Sequence, residues 1–291
     1  MKKEITPKGK LIPIGGKEAR DNEDSSSPEN KNQATFTNEG VLQEVLAEMK
    51  GTDSRIEIIT TASEEPDDMA EMYIEAFGKL GCRQVNALKL DGRNIDSSRT
   101  LEALSLADGV FMTGGDQTRL TDKISGTKFF EALVRRYQEE NFVIAGTSAG
   151  AMAMSAVMIS EGSGTESLLK GIVQLQGGFK LLPNTIIDTH FMSRGRFARL
   201  AEALLMQEGY TALGICEDTG LVVSEGNILR TIGSGVVMVL QADQVTKTNF
   251  KEAKKMQPVY VEGMSMHILA KGASYSLSTR EFIVEQSGNY R

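Results

Sequence analysis

Three observations predict an α/β fold for this 291-residue chain: a predominantly parallel twisted sheet, helices on both faces, and an antiparallel C-terminal extension. Short apolar runs alternate with segments of helical period through the first half of the chain, the pattern of βαβ units. Several of those runs end in glycine or small polar residues, as strands do when their carboxyl ends open into loops on one sheet edge. From Asn227 onward the pattern changes to short β segments with little helix. Residues 227–291 are read as an extension of the sheet, so residues 1–291 form one expected domain.

Lys10 to Ile14 is the first strand and ends in Gly15-Gly16. Residues 21–35, opening with Asp21-Asn-Glu-Asp-Ser, are polar enough to predict a flexible surface loop. A helix from Asn38 to Lys50 leads to the strand Arg55–Thr60. Pro66-Asp-Asp68 opens a helix to Leu80, with proline in the first turn where it is tolerated. Gln84–Leu90 is a strand, Ser98–Leu106 a short helix, and Gly109–Met112 a strand ending in Thr113-Gly-Gly-Asp-Gln117. One helix is predicted from Arg119 to Gln138, then the strand Phe142–Ala145. The Gly- and Ser-rich stretch Glu161–Gly178 reads as a loop over the sheet edge. Asn184–Phe191 is a strand with its polar residues at the end, Arg196–Glu208 a helix, and Leu213–Ser224 two strand pieces around an acidic turn. Gly235–Leu240, Val259–Val261 and Met266–Ala270 complete the C-terminal β segments.

Hydrophobic content of 40% and charged content of 24% suit an ordinary globular chain. A net charge of -7, with no basic stripe, argues against nucleic acid as the main partner. Cys82 and Cys216 are too few for a disulfide framework and lie in no metal-like cluster, so a reducing cytoplasm is expected. The basic start Met1-Lys-Lys-Glu lacks an apolar core, and no run is long enough to span a bilayer. A cytoplasmic location is therefore predicted, with neither membrane nor nucleic acid as partner.

The chemistry centres on Gly146-Thr-Ser148-Ala-Gly150. It matches G-x-S-x-G between a buried strand and a small-residue helix, the context of a nucleophile elbow. Such a turn lifts the Ser148 hydroxyl off the sheet and aims the Ala149 N–H at an oxyanion formed there. The serine needs a base, and the chain has two histidines. His267 lies in the apolar stretch Met264–Ala270 and reads as packed or surface-lying. His190 ends a strand just before a loop, where a general base has to stand. Asp188, Glu217 and Asp218 are all candidates to orient it. Gly114-Gly115 offers backbone donors beside the elbow, although a lone glycine pair is more often a simple turn; Gly15-Gly16 is equally ambiguous, and neither pair fits a phosphate loop. Arg194, Arg196 and Arg199, crowded at a helix entrance, suggest a receptor for carboxylates.

Taken together, Thr113–Gln117, Gly146–Ala151, Asp188-x-His190-Phe191 with Arg194, Arg196 and Arg199, and Glu217-Asp-Thr219 resemble the cyanophycinases. These are serine peptidases of the same group as the α-aspartyl dipeptidases. The resemblance runs from Leu11 to the C-terminal strands. It implies Ser148 as nucleophile, His190 as general base and Glu217 as its orienting partner, with Gly115 and Ala149 donating to the oxyanion. Around the substrate it puts Gln117, Asp188, Thr189, Arg194, Arg196 and Arg199. The implied reaction is exopeptidase cleavage of cyanophycin, an arginine-bearing poly-aspartate, to β-Asp-Arg dipeptides by a homodimer without metal or cofactor. Thr189 stands where the family usually has glutamine, and its shorter side chain reaches fewer substrate atoms. An aspartyl or isoaspartyl dipeptidase, and a non-catalytic carboxylate-binding relative, are the alternatives.

Overall fold

The structure is a computed structural model and describes residues 6–17, 40–162 and 168–283. The polar stretch 21–35 lies outside the described residues.

Five parallel strands build the part of the fold that carries the site. They are β1 (Lys10–Ile14), β2 (Arg55–Ile59), β3 (Gln84–Leu88), β4 (Gly109–Met112) and β5 (Val143–Thr147). Side by side they run in the order β1, β5, β4, β2, β3, all in parallel register. Every residue of β5 is buried, as its unbroken run of apolar and small residues requires of a central strand. The period of two divides the sheet into two cores. Leu11, Val110, Met112 and Ile144 face one way, and Ile12, Ile14, Phe111 and Ala145 face the other. Each large side chain so buried contributes about 1.5–3 kcal/mol.

Helices cover both faces. Helices α1 (Val41–Ala47) and α2 (Pro66–Lys79) bury Val41, Leu42, Tyr73 and Phe77 on the side of Phe111. Helix α3 (Ser98–Leu106) starts at Ser97, whose hydroxyl accepts from the Thr100 N–H. The single helix expected over 119–138 is in fact two, α4 (Gln117–Ile124) and α5 (Lys128–Glu139). Gly126 turns at φ 77°, and Thr127 caps the new helix by accepting from the Phe130 N–H. A glycine stop followed at once by a threonine cap outweighs the continuous helical pattern.

Beyond β5 comes α6 (Ala149–Met152), a single turn. The loop expected over 161–178 contains a hairpin edge, because β6 (Val157–Glu161) pairs antiparallel with β7 (Gln174–Gly177). Strands β8 (Thr185–Asp188) and β9 (Thr211–Ile215) are parallel and joined through α7 (Phe197–Leu205). The C-terminal extension is antiparallel, as predicted, but it divides. Strand β10 (Thr219–Ser224) pairs with β1, followed outward by β11 (Ile228–Gly233), completing a nine-stranded sheet with two short late strands. Strand β12 (Val237–Gln241) instead joins β9 in a separate four-stranded sheet. The separation begins at Gly233, φ 87°, where the Ser234 hydroxyl bonds the Asp218 carboxylate at 2.7 Å and turns the chain.

Candidate active site

Ser148 leaves β5 at φ 50° and ψ −111°, a strained conformation for a residue with a side chain. Gly150 makes the turn possible, since a Cβ there would stand 2.3 Å from the Met112 carbonyl oxygen. Two further turns arrive from the other sheet. His190 follows β8 at φ 50°, and Glu217 follows β9, with Asp218 at φ 46°.

Main-chain bonds to the end of β1 hold all three turns. The Ile14 carbonyl accepts from Ser148 N at 3.0 Å, Gly15 from His190 N at 2.8 Å, and Gly16 from Asp218 N at 2.9 Å. Consecutive carbonyls of one strand end therefore pin the segments that carry serine, histidine and glutamate. Backbone strain of about 1–3 kcal/mol per residue persists only where the surroundings over-determine it, and this ladder provides that constraint.

The side chains form a hydrogen-bonded line. His190 Nε2 lies 3.2 Å from Ser148 Oγ, and His190 Nδ1 lies 2.8 Å from Glu217 Oε1. Ser193 Oγ also reaches Glu217 Oε1, at 3.0 Å, and the Lys17 ammonium stands 3.4 Å from the same oxygen. Burial pushes the His190 pKa down, helped by the positive charges of Arg194 and Arg196, although the bond to Glu217 opposes it. For Glu217, burial alone would raise the pKa; hydrogen bonds from His190 and Ser193 and the charge of Lys17 bring it below the usual carboxylate range. A neutral imidazole between a hydroxyl and an ionised carboxylate can accept the hydroxyl proton and be stabilised as it does so.

The arginines do not act as one group. Asp188 is fully buried, and its carboxylate is gripped by Arg199, through Nε at 2.7 Å and through Nη2, with Arg196 Nη1 at 3.2 Å. Arg196 also donates to the Thr189 carbonyl at 2.7 Å, and Arg199 to that of Gly162 at 3.0 Å. Burial pushes Arg196 down to about 10 despite the nearby Asp188 charge. Asp188 was expected beside the substrate; the guanidinium groups it meets here belong to this chain. Arg194 is exposed beside His190. Thr189 is fully buried, with a hydroxyl that finds no partner among the described residues.

Of the other predicted positions, Gly114-Gly115 does flank the serine, since a Cβ on Gly114 would stand 3.5 Å from Ser148 Cβ. Ala149 opens α6 directly after Ser148. Half-buried Gln117 donates to the Ile159 carbonyl at 2.7 Å. His267, read from the sequence as packed or surface-lying, has its ring packed 5.5 Å from that of Tyr275. Reading the sequence passed over Lys17 and Ser193, and noted Gly15-Gly16 without seeing its contact with His190. Among the described residues, no group of three or more His, Cys, Asp or Glu side chains is placed to hold a metal, and no helix is long and apolar enough to cross a membrane.

Comparison with known proteins decides the family. The model of peptidase family S51 matches residues 26–231. The chain belongs to peptidase family S51. Across 232 residues it is 33% identical to a cyanophycinase of Synechococcus elongatus, covering 79% of this chain and 72% of that one. To a cyanophycinase of Geminocystis herdmanii it is 32% identical over 235 residues, covering 79% and 85%. The fold matches the crystal structure of a peptidase from an acI-B1 actinobacterium, with a TM-score of 0.61 over 94% of this chain and 98% of that one. At 19% identity that likeness speaks for the fold alone. As an S51 member the chain is a serine-type peptidase.

Proposed function

We propose that this S51 peptidase is a cyanophycinase that works through Ser148, His190 and Glu217 by way of an acyl-enzyme. The observation that carries the reading is the line from Ser148 Oγ through His190 to Glu217, with separations of 3.2 and 2.8 Å. In the first step His190 Nε2 takes the Ser148 proton while Oγ attacks the scissile carbonyl. The backbone N–H groups of Gly115 and Ala149 receive the oxyanion. Collapse expels the amine, which takes the proton from His190. Water, deprotonated by the same imidazole, then releases the acyl group and restores Ser148.

Sequence identity to named cyanophycinases over most of the chain supports cyanophycin as substrate and β-Asp-Arg dipeptides as products. Arg194 is the guanidinium best exposed to receive a substrate carboxylate. The reading is tested by incubating the protein with purified cyanophycin and identifying products by mass, with Ser148→Ala as control. Dipeptides from the wild type and none from the variant are expected; an active Ser148→Ala sinks the serine mechanism.

One observation favours the dipeptidase alternative. With the Asp188 carboxylate occupied by Arg196 and Arg199, the site's own arginines fill the position a substrate arginine would need. Cleavage of β-aspartyl dipeptides without arginine, and none of cyanophycin, would establish that version.

A further inference from the structure

We propose that Ser193 is a positioning residue for the acid–base pair: its hydroxyl holds the Glu217 carboxylate with Oε1 turned to the imidazole. The inference rests on the Ser148–His190–Glu217 reading and deepens it.

Ser193 Oγ lies 3.0 Å from Glu217 Oε1 and 3.2 Å from the His190 carbonyl. A hydroxyl has one proton to give. The His190 carbonyl already accepts from Arg194 N at 3.1 Å, whereas a bond to the ionised carboxylate is charge-assisted and stronger. The proton therefore goes to Glu217. Ser193 itself is fixed from both sides, because Gly195 N returns to Met192 O and Arg196 N to Phe191 O, at 3.1 and 3.0 Å. The turn that carries the base thus reaches across to the acid partner and fixes the distance between them.

Glu217 needs such a hold. Its side chain is 24% exposed, and it has three rotatable bonds with which to leave the imidazole. Lys17 is a poor substitute, being 70% exposed at the end of a flexible stem. Other charges near the pair are already engaged or point to the same side. Asp218 bonds Ser234, Asp188 is taken by Arg196 and Arg199, and Arg194 contributes positive potential only. Removing the Ser193 hydroxyl frees the carboxylate to rotate. A carboxylate that leaves the ring stabilises the imidazolium less, so the acid limb of activity moves to lower pH.

The test compares Ser193→Ala and Ser193→Thr with wild type and Ser148→Ala, on whichever of cyanophycin or a β-aspartyl dipeptide the wild type cleaves. Ser193→Ala is expected to lose about tenfold or more in kcat, the scale of one hydrogen bond to a charged group, with KM unchanged. Its acid limb moves down, and Ser193→Thr, which keeps the hydroxyl, recovers most of both. An unchanged kcat and acid limb in Ser193→Ala, or no recovery in Ser193→Thr, overturns the inference while an inactive Ser148→Ala leaves the serine mechanism standing. Activity in Ser148→Ala overturns both.

Discussion

Gly16 and His190 are in such close contact that a Cβ at position 16 would stand 2.3 Å from the imidazole Cε1 and 2.4 Å from Nε2. The backbone of the first strand end therefore lies against the very nitrogen that faces Ser148. Gly16 also sits at φ 99°, which a side chain tolerates poorly.

Gly16→Ala should push the ring away from the serine. A misplacement of this kind lowers kcat by about 100-fold, because catalysis falls steeply when reacting groups move by an ångström. Circular dichroism should show the folded spectrum retained. Wild-type kcat in the folded variant would mean that the strand end does not position the imidazole.

The pH dependence follows from the His190 environment. Burial lowers its pKa from 6.5, and the proposed base works only when neutral. Activity is therefore full above the folded pKa and lost as pH falls through it, so the acid limb of kcat/KM has its midpoint below pH 6.5. Glu217→Gln removes the group that raises His190, moving the limb lower still. It should also cost roughly 10³–10⁴-fold in kcat, by loss of the correct tautomer. A limb that stays in place in Glu217→Gln contradicts the assignment.

Asp188 is a structural liability when its partners are cut. The pair with Arg199 is buried on both sides, so Arg199→Met leaves an under-compensated carboxylate. Urea titration should show a loss of about 3–5 kcal/mol. A change under 1 kcal/mol by the same titration would mean that Arg196 alone satisfies Asp188.

Arg194 should behave oppositely. It is exposed and, in the proposed reading, meets the substrate carboxylate. Arg194→Ala is expected to raise KM about tenfold or more with an unchanged urea midpoint, the loss of one charge-assisted contact. An unchanged KM would remove it from recognition.

The parallel half of the fold was legible because β1, β4 and β5 are largely apolar runs that open into glycine or serine, and Ser148 stood out on the same grounds. Less was visible where short local signals compete with a longer period. Ser125-Gly126-Thr127 splits a helix whose apolar stripe runs straight through it. His190 and Glu217 reach Ser148 from a second sheet, and no local pattern announces that β12 turns away from β11 at Gly233. The difference among Arg194, Arg196 and Arg199 was also invisible, since it depends on which of them the fold buries against Asp188. The anchoring part played by Gly15-Gly16 was hidden because carbonyl acceptors leave no trace in residue type.

The ladder at Ile14, Gly15 and Gly16 has a consequence for biosynthesis. Its rungs come from positions 148, 190 and 218, so the anchor is made first and its last ligature emerges from the ribosome much later. A nascent chain released before Asp218 docks has the serine but not the geometry to use it. In the proposed mechanism, hydrolytic competence is then acquired at the end of folding, when the most distant contacts close.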